Sequence, residues 1–261
     1  MGKERIEAAL QNVLSQGDKA FVPYIMAGDG GLNMLEKKLL FLQDNGATLI
    51  ELGVPFSDPV ADGPTIQAAG IRARSGGATL EKILNQLKSI RNHIHVPIVL
   101  MTYINPLLQF GIERLVKEAS EAGVDGFIIP DVPIEEEDII APQLKRAGIA
   151  LIQLVSVTSP IERIKRIVNQ SDGFVYAVTV AGITGARKSL QSRLHQYLES
   201  VKKVSSLPVL AGFGISTPEH VRDTTQYCDG VVVGSKVIDL LQEGNQDELI
   251  SLMKASQKIR Q

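Results

Sequence analysis

The residues best placed to do chemistry lie in one stretch, Glu51-Leu-Gly-Val-Pro-Phe-Ser-Asp-Pro-Val-Ala-Asp-Gly-Pro-Thr-Ile-Gln67. Glu51 closes the short apolar run Thr48-Leu49-Ile50, so it stands at a strand end. Gly53, Pro55, Pro59, Gly63 and Pro64 make the residues after it a stiff loop, and a helical pattern resumes near Thr65. Glu51 and Asp62 bracket that loop, with Asp58 between them. A carboxyl group among apolar neighbours loses hydration, which favours its neutral form and moves its pKa toward neutrality. It can then exchange protons with a substrate near pH 7. A second carboxylate can hold an N–H donor or stabilise a developing positive charge. The bland reading is a turn whose acids are solvated or cap the next helix, with Glu51 satisfied by backbone or by Tyr176. Loops held by a rigid scaffold often carry function, which favours the acid–base reading.

Other chemistries find no residues in position. A Schiff base needs a lysine at a strand C-terminus, and the nearest, Lys236, belongs to the first turn of a helix. Of the four histidines, His93, His95, His195 and His220, none ends an apolar run, so no metal site is expected. The single cysteine, Cys228, precedes the last run and reads as packing. Asp131, before Val132-Pro133, reads as a turn acid, and Glu135-Glu136-Glu137-Asp138 as the acidic first turn of a helix. Tyr103, Tyr176 and Thr184 are candidate orienting donors. For each tyrosine, core packing with a satisfied hydroxyl is the alternative.

What positions these residues is a recurring unit. Apolar runs without alternation occupy 19–26, 48–52, 97–101, 126–130, 150–154, 174–178, 208–211 and 230–234. Such runs describe strands buried on both faces of a parallel sheet. Helical patterns lie between them, among them 32–44, 113–121, 134–145, 160–168, 190–204 and 218–225. Gly46, Gly123, Gly148 and Gly173 each precede a run, as helix C-caps feeding a strand do. Eight β/α cycles in 261 residues point to an α/β fold, a closed (β/α)8 TIM barrel, with an extra N-terminal helix before residue 17 covering the barrel bottom. Residues 244–261 read as a last charged helix. No linker divides the chain, so 1–261 is expected to be one domain. Chemistry in this fold sits at the C-terminal ends of the strands, which puts Glu51, Tyr103, Asn105, Asp131, Ser156, Thr158 and Tyr176 around one mouth.

Glycines cluster after the last three runs: Gly182-Ile-Thr-Gly185, Gly212-Phe-Gly214 and Gly234-Ser235. Glycine lets backbone N–H groups approach an anion, and Gly234-Ser235 also opens a helix, whose N-terminus favours one. Phosphate binding is expected there; tight turns and helix caps are the alternative. No dinucleotide fingerprint is present. A net charge of −2 and the lack of a long basic run argue against nucleic acid or an anionic membrane. No apolar stretch approaches a membrane span, no secretory signal opens the chain, and one cysteine fits a reducing compartment. A cytoplasmic protein is expected.

The segment 51–67 resembles the signature of the tryptophan synthase alpha chain family. So do Phe21-Val-Pro-Tyr24 with Gly28-Asp29, Tyr103-Ile-Asn105-Pro106, Asp131-Val-Pro133 and the glycine loops, in family order across nearly the whole chain. The resemblance implies a lyase (carbon–oxygen lyase by class) whose alpha reaction is an aldol-type cleavage. It reversibly splits indole-3-glycerol phosphate into indole and D-glyceraldehyde 3-phosphate, without metal or organic cofactor in this chain. By position, Glu51 resembles the acid/base, Asp62 the carboxylate that accepts the indole N–H, Tyr176 the hydroxyl near the first acid and Thr184 the lid residue. Gly185, Gly214, Gly234 and Ser235 resemble the phosphate cradle. Tyr24, Met101, Ile128, Phe213 and Val232 are expected to line the indole pocket. The resemblance implies an alpha2beta2 heterotetramer with a pyridoxal-phosphate beta chain that receives the indole, docked through Asp58 and Pro59 in the loop after the second strand and Asn105 and Pro106 in the loop after the third. One departure is Thr179-Val180-Ala181, where many relatives carry arginine or serine, so lid closure is expected to differ. The competing readings are another phosphate-binding barrel, a stand-alone lyase and a catalytically silent regulatory subunit.

Overall fold

The computed structural model of the chain describes residues 2–179, 187–212 and 214–258, with the side chains of 187–191 outside the description. Eight strands appear: β1 (Ala20–Met26), β2 (Ile50–Gly53), β3 (Ile98–Met101), β4 (Gly126–Ile128), β5 (Ala150–Ser156), β6 (Val175–Val178), β7 (Val209–Gly212) and β8 (Gly230–Val233). Each pairs in parallel with the next, and β8 pairs with β1, so the sheet closes into the expected barrel. Around it run α1 (Gly2–Ser15), α2 (Leu35–Asp44), α3 (Pro64–Ser75), α4 (Leu80–Ile90), α5 (Ile104–Phe110) and α6 (Ile112–Glu121). They continue with α7 (Ala141–Ala147), α8 (Ile161–Gln170), α9 (Arg187–Val204), α10 (Pro218–Thr224), α11 (Ser235–Glu243) and α12 (Gln246–Lys254).

The strand runs lack alternation because both faces are buried. Ala20, Val22, Val99, Ile128, Ile152, Leu210 and Val232 point into the barrel. Their neighbours Ile25, Leu52, Leu100, Phe127, Val231 and Val233 pack outward against helices. Gly46, Gly123, Gly148 and Gly173 take φ values of 96°, 70°, 67° and 70°, the left-handed turn that lets a helix stop and a strand begin.

The first helix covers the barrel bottom as expected. Ile6 and Leu10 of α1 are fully buried in the inner cluster. Ile6 reaches between strands only because Gly126 and Gly173 lack side chains: a Cβ there would come within 3.1 and 2.8 Å of it. Two buried aliphatic side chains contribute about 1.5–3 kcal/mol each. The ion pairs Lys3–Asp172 (2.6 Å) and Arg5–Asp125 (3.2 Å) sit at the rim and contribute less. Asp125 itself is buried. It accepts from Arg91 Nη2 and from the Ile98 N–H, both at 2.8 Å. We expect Asp125→Ala to strand the Arg91 guanidinium and to lower the unfolding free energy, measured in urea, by about 3 kcal/mol.

Three expectations are corrected. The stretch 134–145 is not one helix: a 3-10 turn, Ile134–Ile139, is followed by α7. Pro142 allows only the first turn of a helix at its position, because it lacks an N–H and its ring crowds the preceding turn. The last helix is shorter than 244–261, spanning Gln246–Lys254, with Asn245 capping it. Asn105 and Pro106 lie in the first turn of α5 and not in a loop. Asp131 is what starts that helix. Its carboxylate accepts the Ile104 N–H at 3.0 Å, so it caps a neighbouring element as well as lying in its own turn.

Candidate active site

Glu51 lies in β2, level with Tyr24 of β1 and Val99 of β3, on the inward face. It is 1% exposed, and neither carboxylate oxygen has a hydrogen-bond partner. Burial, and then the charge of Asp62, push its pKa up to about 8. A buried carboxyl with no donor exists at low cost only when protonated, so Glu51 holds a proton at pH 7. The bland alternative of a satisfied structural glutamate does not describe this side chain.

Asp62 hangs over the mouth on the β2–α3 loop. The loop is pinned from β3: the Tyr103 hydroxyl accepts the Ala61 N–H at 3.0 Å, and the Phe56 and Tyr103 rings stand 5.3 Å apart. Oδ1 of Asp62 is buried without a partner. Burial raises its pKa to about 6, with the Tyr103 hydroxyl pulling the other way. At neutral pH the site therefore holds one neutral and one ionised carboxyl group. Two acids pushed to opposite states by their surroundings is the usual division between a proton donor and a fixed anion.

Two tyrosines close the layer around Glu51. Burial and then the charges of both carboxylates push the phenols of Tyr24 and Tyr176 well up. Each ring lies over a glycine. A Cβ on Gly53 would fall 2.0 Å from the Tyr24 hydroxyl, and one on Gly212 within 2.4 Å of the Tyr176 ring. We expect Gly53→Ala to displace the Tyr24 phenol and cost about 2 kcal/mol in stability. Tyr24→Phe removes only the nearest of the atoms in conflict and leaves Cζ within 2.6 Å, so the double variant should regain part of that loss in a mutant cycle. Additive losses would show that the two residues do not meet.

Met101, Ile128 and Tyr176 line a cavity of about 490 Å³ at the mouth, together with Ala61, Pro130 and Leu154. Tyr24 and Val232 lie deeper, on the β1–β8 side, and are 3% and 2% exposed. Pro130 and Leu154 were not among the expected pocket residues. Leu154 had a readable signal, since it points the same way as Ile152 at the end of its run. On the opposite rim, Gly214 is exposed with φ of 77°. Gly234 begins α11 without a side-chain cap, leaving that helix's first N–H groups open beside the exposed Ser235. Thr184, Gly185 and Phe213, with Gly182 and Val180, lie outside the described residues. Asp58 and Asn105 are exposed, and Pro59 and Pro106 half-buried.

The other ionisable candidates stand apart. Lys236 Nζ pairs with Glu248 at 2.7 Å. His93 pairs with Glu36 at 2.6 Å in the turn before β3, at the far end of the barrel. Cys228 is buried, its Sγ donates to backbone carbonyls, and burial pushes the thiol up to about 11. Among the described residues, no three metal-ligating side chains come together and no helix is long and apolar enough to cross a membrane.

A closed parallel barrel with one buried and one half-buried carboxyl group at its C-terminal mouth, beside an apolar cavity, defines a (β/α)8-barrel protein equipped for acid–base chemistry. The chain belongs to the tryptophan synthase alpha chain family, whose model matches residues 10–261. It is 56% identical to the tryptophan synthase alpha chain of Bacillus thuringiensis (strain Al Hakam) over 258 residues, 99% of this chain and 98% of that one. The alpha subunit from Legionella pneumophila superposes with a TM-score of 0.87 at 32% identity, covering 97% and 98% of the two chains. A chain of tryptophan synthase from M. tuberculosis gives 0.88 at 28% identity, with 98% and 99% covered.

Proposed function

We propose that this chain cleaves indole-3-glycerol phosphate reversibly to indole and D-glyceraldehyde 3-phosphate, as a lyase of aldol type. The observation that carries this reading is Glu51: a carboxyl group buried at the barrel mouth with both oxygens unpartnered. Protonated Glu51 gives its proton to C3 of the indole ring. Positive charge then develops on the ring nitrogen, whose N–H points to the Asp62 carboxylate. A preorganised anion at that position lowers the barrier because it acts where charge appears. The Glu51 carboxylate next takes the proton of the glycerol hydroxyl. The O–H electrons form the aldehyde carbonyl, the C–C bond breaks, and its pair returns to the ring as indole leaves. Glu51 ends protonated, ready for another turnover. The phosphate sits at the opposite rim, on the open N–H groups at the start of α11, with Gly214, Gly234 and Ser235; Gly185, outside the described residues, is proposed to join them from the sequence alone.

No cofactor is used by this chain in the reading. Its partner is a beta chain carrying pyridoxal phosphate, in an alpha2beta2 heterotetramer that hands indole across in the cytoplasm. The proposed docking residues Asp58, Pro59, Asn105 and Pro106 adjoin Val60, 84% exposed, and Leu108, 45% exposed. Two exposed aliphatic side chains beside them give that face something to bury against a partner.

The test is indole release from indole-3-glycerol phosphate by the purified chain, with and without a beta chain. Slow release alone that rises strongly with the partner supports the two-chain reading. Fast release indifferent to the partner assigns a stand-alone lyase. Ligand binding without release in either case overturns the catalytic reading in favour of a regulatory subunit.

A further inference from the structure

The barrel wall parts at its mouth. β4 pairs with β5 only up to Ile128 and Ile152, whereas β5 continues through Gln153–Ser156 paired with β6 alone. The cause is local. Pro130 has no N–H to continue a ladder, and the chain turns there, with the Val132 N–H donating to the Ile129 carbonyl at 3.2 Å. Above Ile128 a slot therefore opens between the two strands. The 490 Å³ cavity runs through it, from Met101, Ile128 and Tyr176 inside the barrel to Val132, Ser159 and Ile167 outside.

The outer end offers apolar room, and its polar side chains among the described residues are engaged. Arg163 is there, but both of its terminal nitrogens are taken by Glu135, at 2.6 and 2.8 Å. The Ser156 hydroxyl is engaged by Thr158 at 2.8 Å and Ser159 at 3.2 Å. An uncharged hydrophobic group fits this environment. The direction of approach comes from the proposed reaction, on which this inference rests. With the phosphate at the β7–β8 rim and the ring N–H at Asp62, the benzo edge points across the barrel toward β4 and β5. A cavity of this size falls within the range of roughly 300–1,000 Å³ that holds drug-sized ligands. An unsubstituted indole ring fills only its inner part.

We propose that the slot between β4 and β5 is a substituent channel. Through it the chain accepts indole-3-glycerol phosphates with bulky apolar groups on the distal carbons of the benzo ring, and Val132 and Ser159, on opposite walls, set the size limit. A closed apolar pocket would reject each added methylene by about 10–200-fold; an open slot would not.

The experiment compares kcat/KM for the unsubstituted ester with that for its 5- and 6-methyl and 5- and 6-bromo analogues, in the presence of a beta chain. In the wild-type chain, the substituted-to-parent ratio should stay within about fivefold of unity for at least one ring position, against the closed-pocket penalty just given. Val132→Phe and Ser159→Phe fill the slot from its two sides and should lower that ratio by about tenfold or more. Should either variant fail to fold by circular dichroism, Ser159→Leu reads the same ratio. A ratio below about one-hundredth at every position in the wild-type chain, or one that the filled variants leave unmoved, overturns the channel. Failure to cleave the unsubstituted ester overturns the underlying reaction, and is distinguishable because the parent compound reports it alone.

Discussion

Glu51→Gln is expected to lower kcat for indole release by at least about a thousandfold while leaving ligand binding and the fold in place. Glutamine keeps the shape and can still hydrogen-bond, but it cannot deliver a proton to C3 or take one from the glycerol hydroxyl. Each proton transfer by a positioned group contributes roughly 10²–10⁴-fold. Turnover near the wild-type rate would remove Glu51 from the mechanism. The same variant makes a second measurement independent of activity. The folded pKa of about 8 lies above the ordinary value of 4.5. Between those values the unfolded chain has lost the proton and the folded protein keeps it. Stability therefore falls as pH rises through that window. Glutamine carries no such penalty. The variant should match the wild-type chain below pH 4.5 and exceed it above pH 8, by on the order of 5 kcal/mol. Urea unfolding at both pH values measures this, and a variant less stable than wild type at the higher pH would contradict the buried, unpartnered carboxyl.

Asp62→Asn should cost about 10²–10³-fold in kcat/KM, the usual loss on removing one group that meets charge in the transition state. Asparagine can still accept the indole N–H, so KM should move less than kcat. The pH profile tests the assignment more directly. With Asp62 required ionised at a pKa of about 6 and Glu51 required protonated at about 8, wild-type kcat/KM should be bell-shaped with its plateau between. In the variant the acid limb should vanish, because asparagine does not titrate. The alkaline limb should move to lower pH, because the Asp62 charge is one of the causes that raise Glu51. An alkaline limb that stays in place would mean the two carboxyl groups do not sense each other.

Much of this architecture was legible residue by residue. Ile98–Met101 and Gly230–Val233 announced themselves as strands buried on both faces, because contact with helices outside and side chains inside leaves no polar alternation. Gly46 and Gly148 marked helix ends, because a left-handed residue is a local requirement. Glu51 at a strand end and Asp62 in a proline-stiffened loop named the chemistry. Where local signals met local obstacles, the boundaries slipped: Pro130 ended β4 early and Pro142 broke the expected helix.

The amino-acid order thus determined the alternation of elements, the closed barrel and the pair of acids, since periodicity, turns and strand ends are written in neighbouring residues. Only the folded chain decided their states. Glu51 is protonated because strands distant in sequence surround it and supply no donor. Asp62 is held in place because Tyr103 reaches the Ala61 N–H. Tyr24 reaches the site because Gly53, on the next strand, has no Cβ. The slot beside Ile128 exists because β5 outruns β4. Each of these depends on contacts between segments far apart in the chain, where desolvation and close packing are set by tertiary neighbours and leave no periodic trace in the sequence.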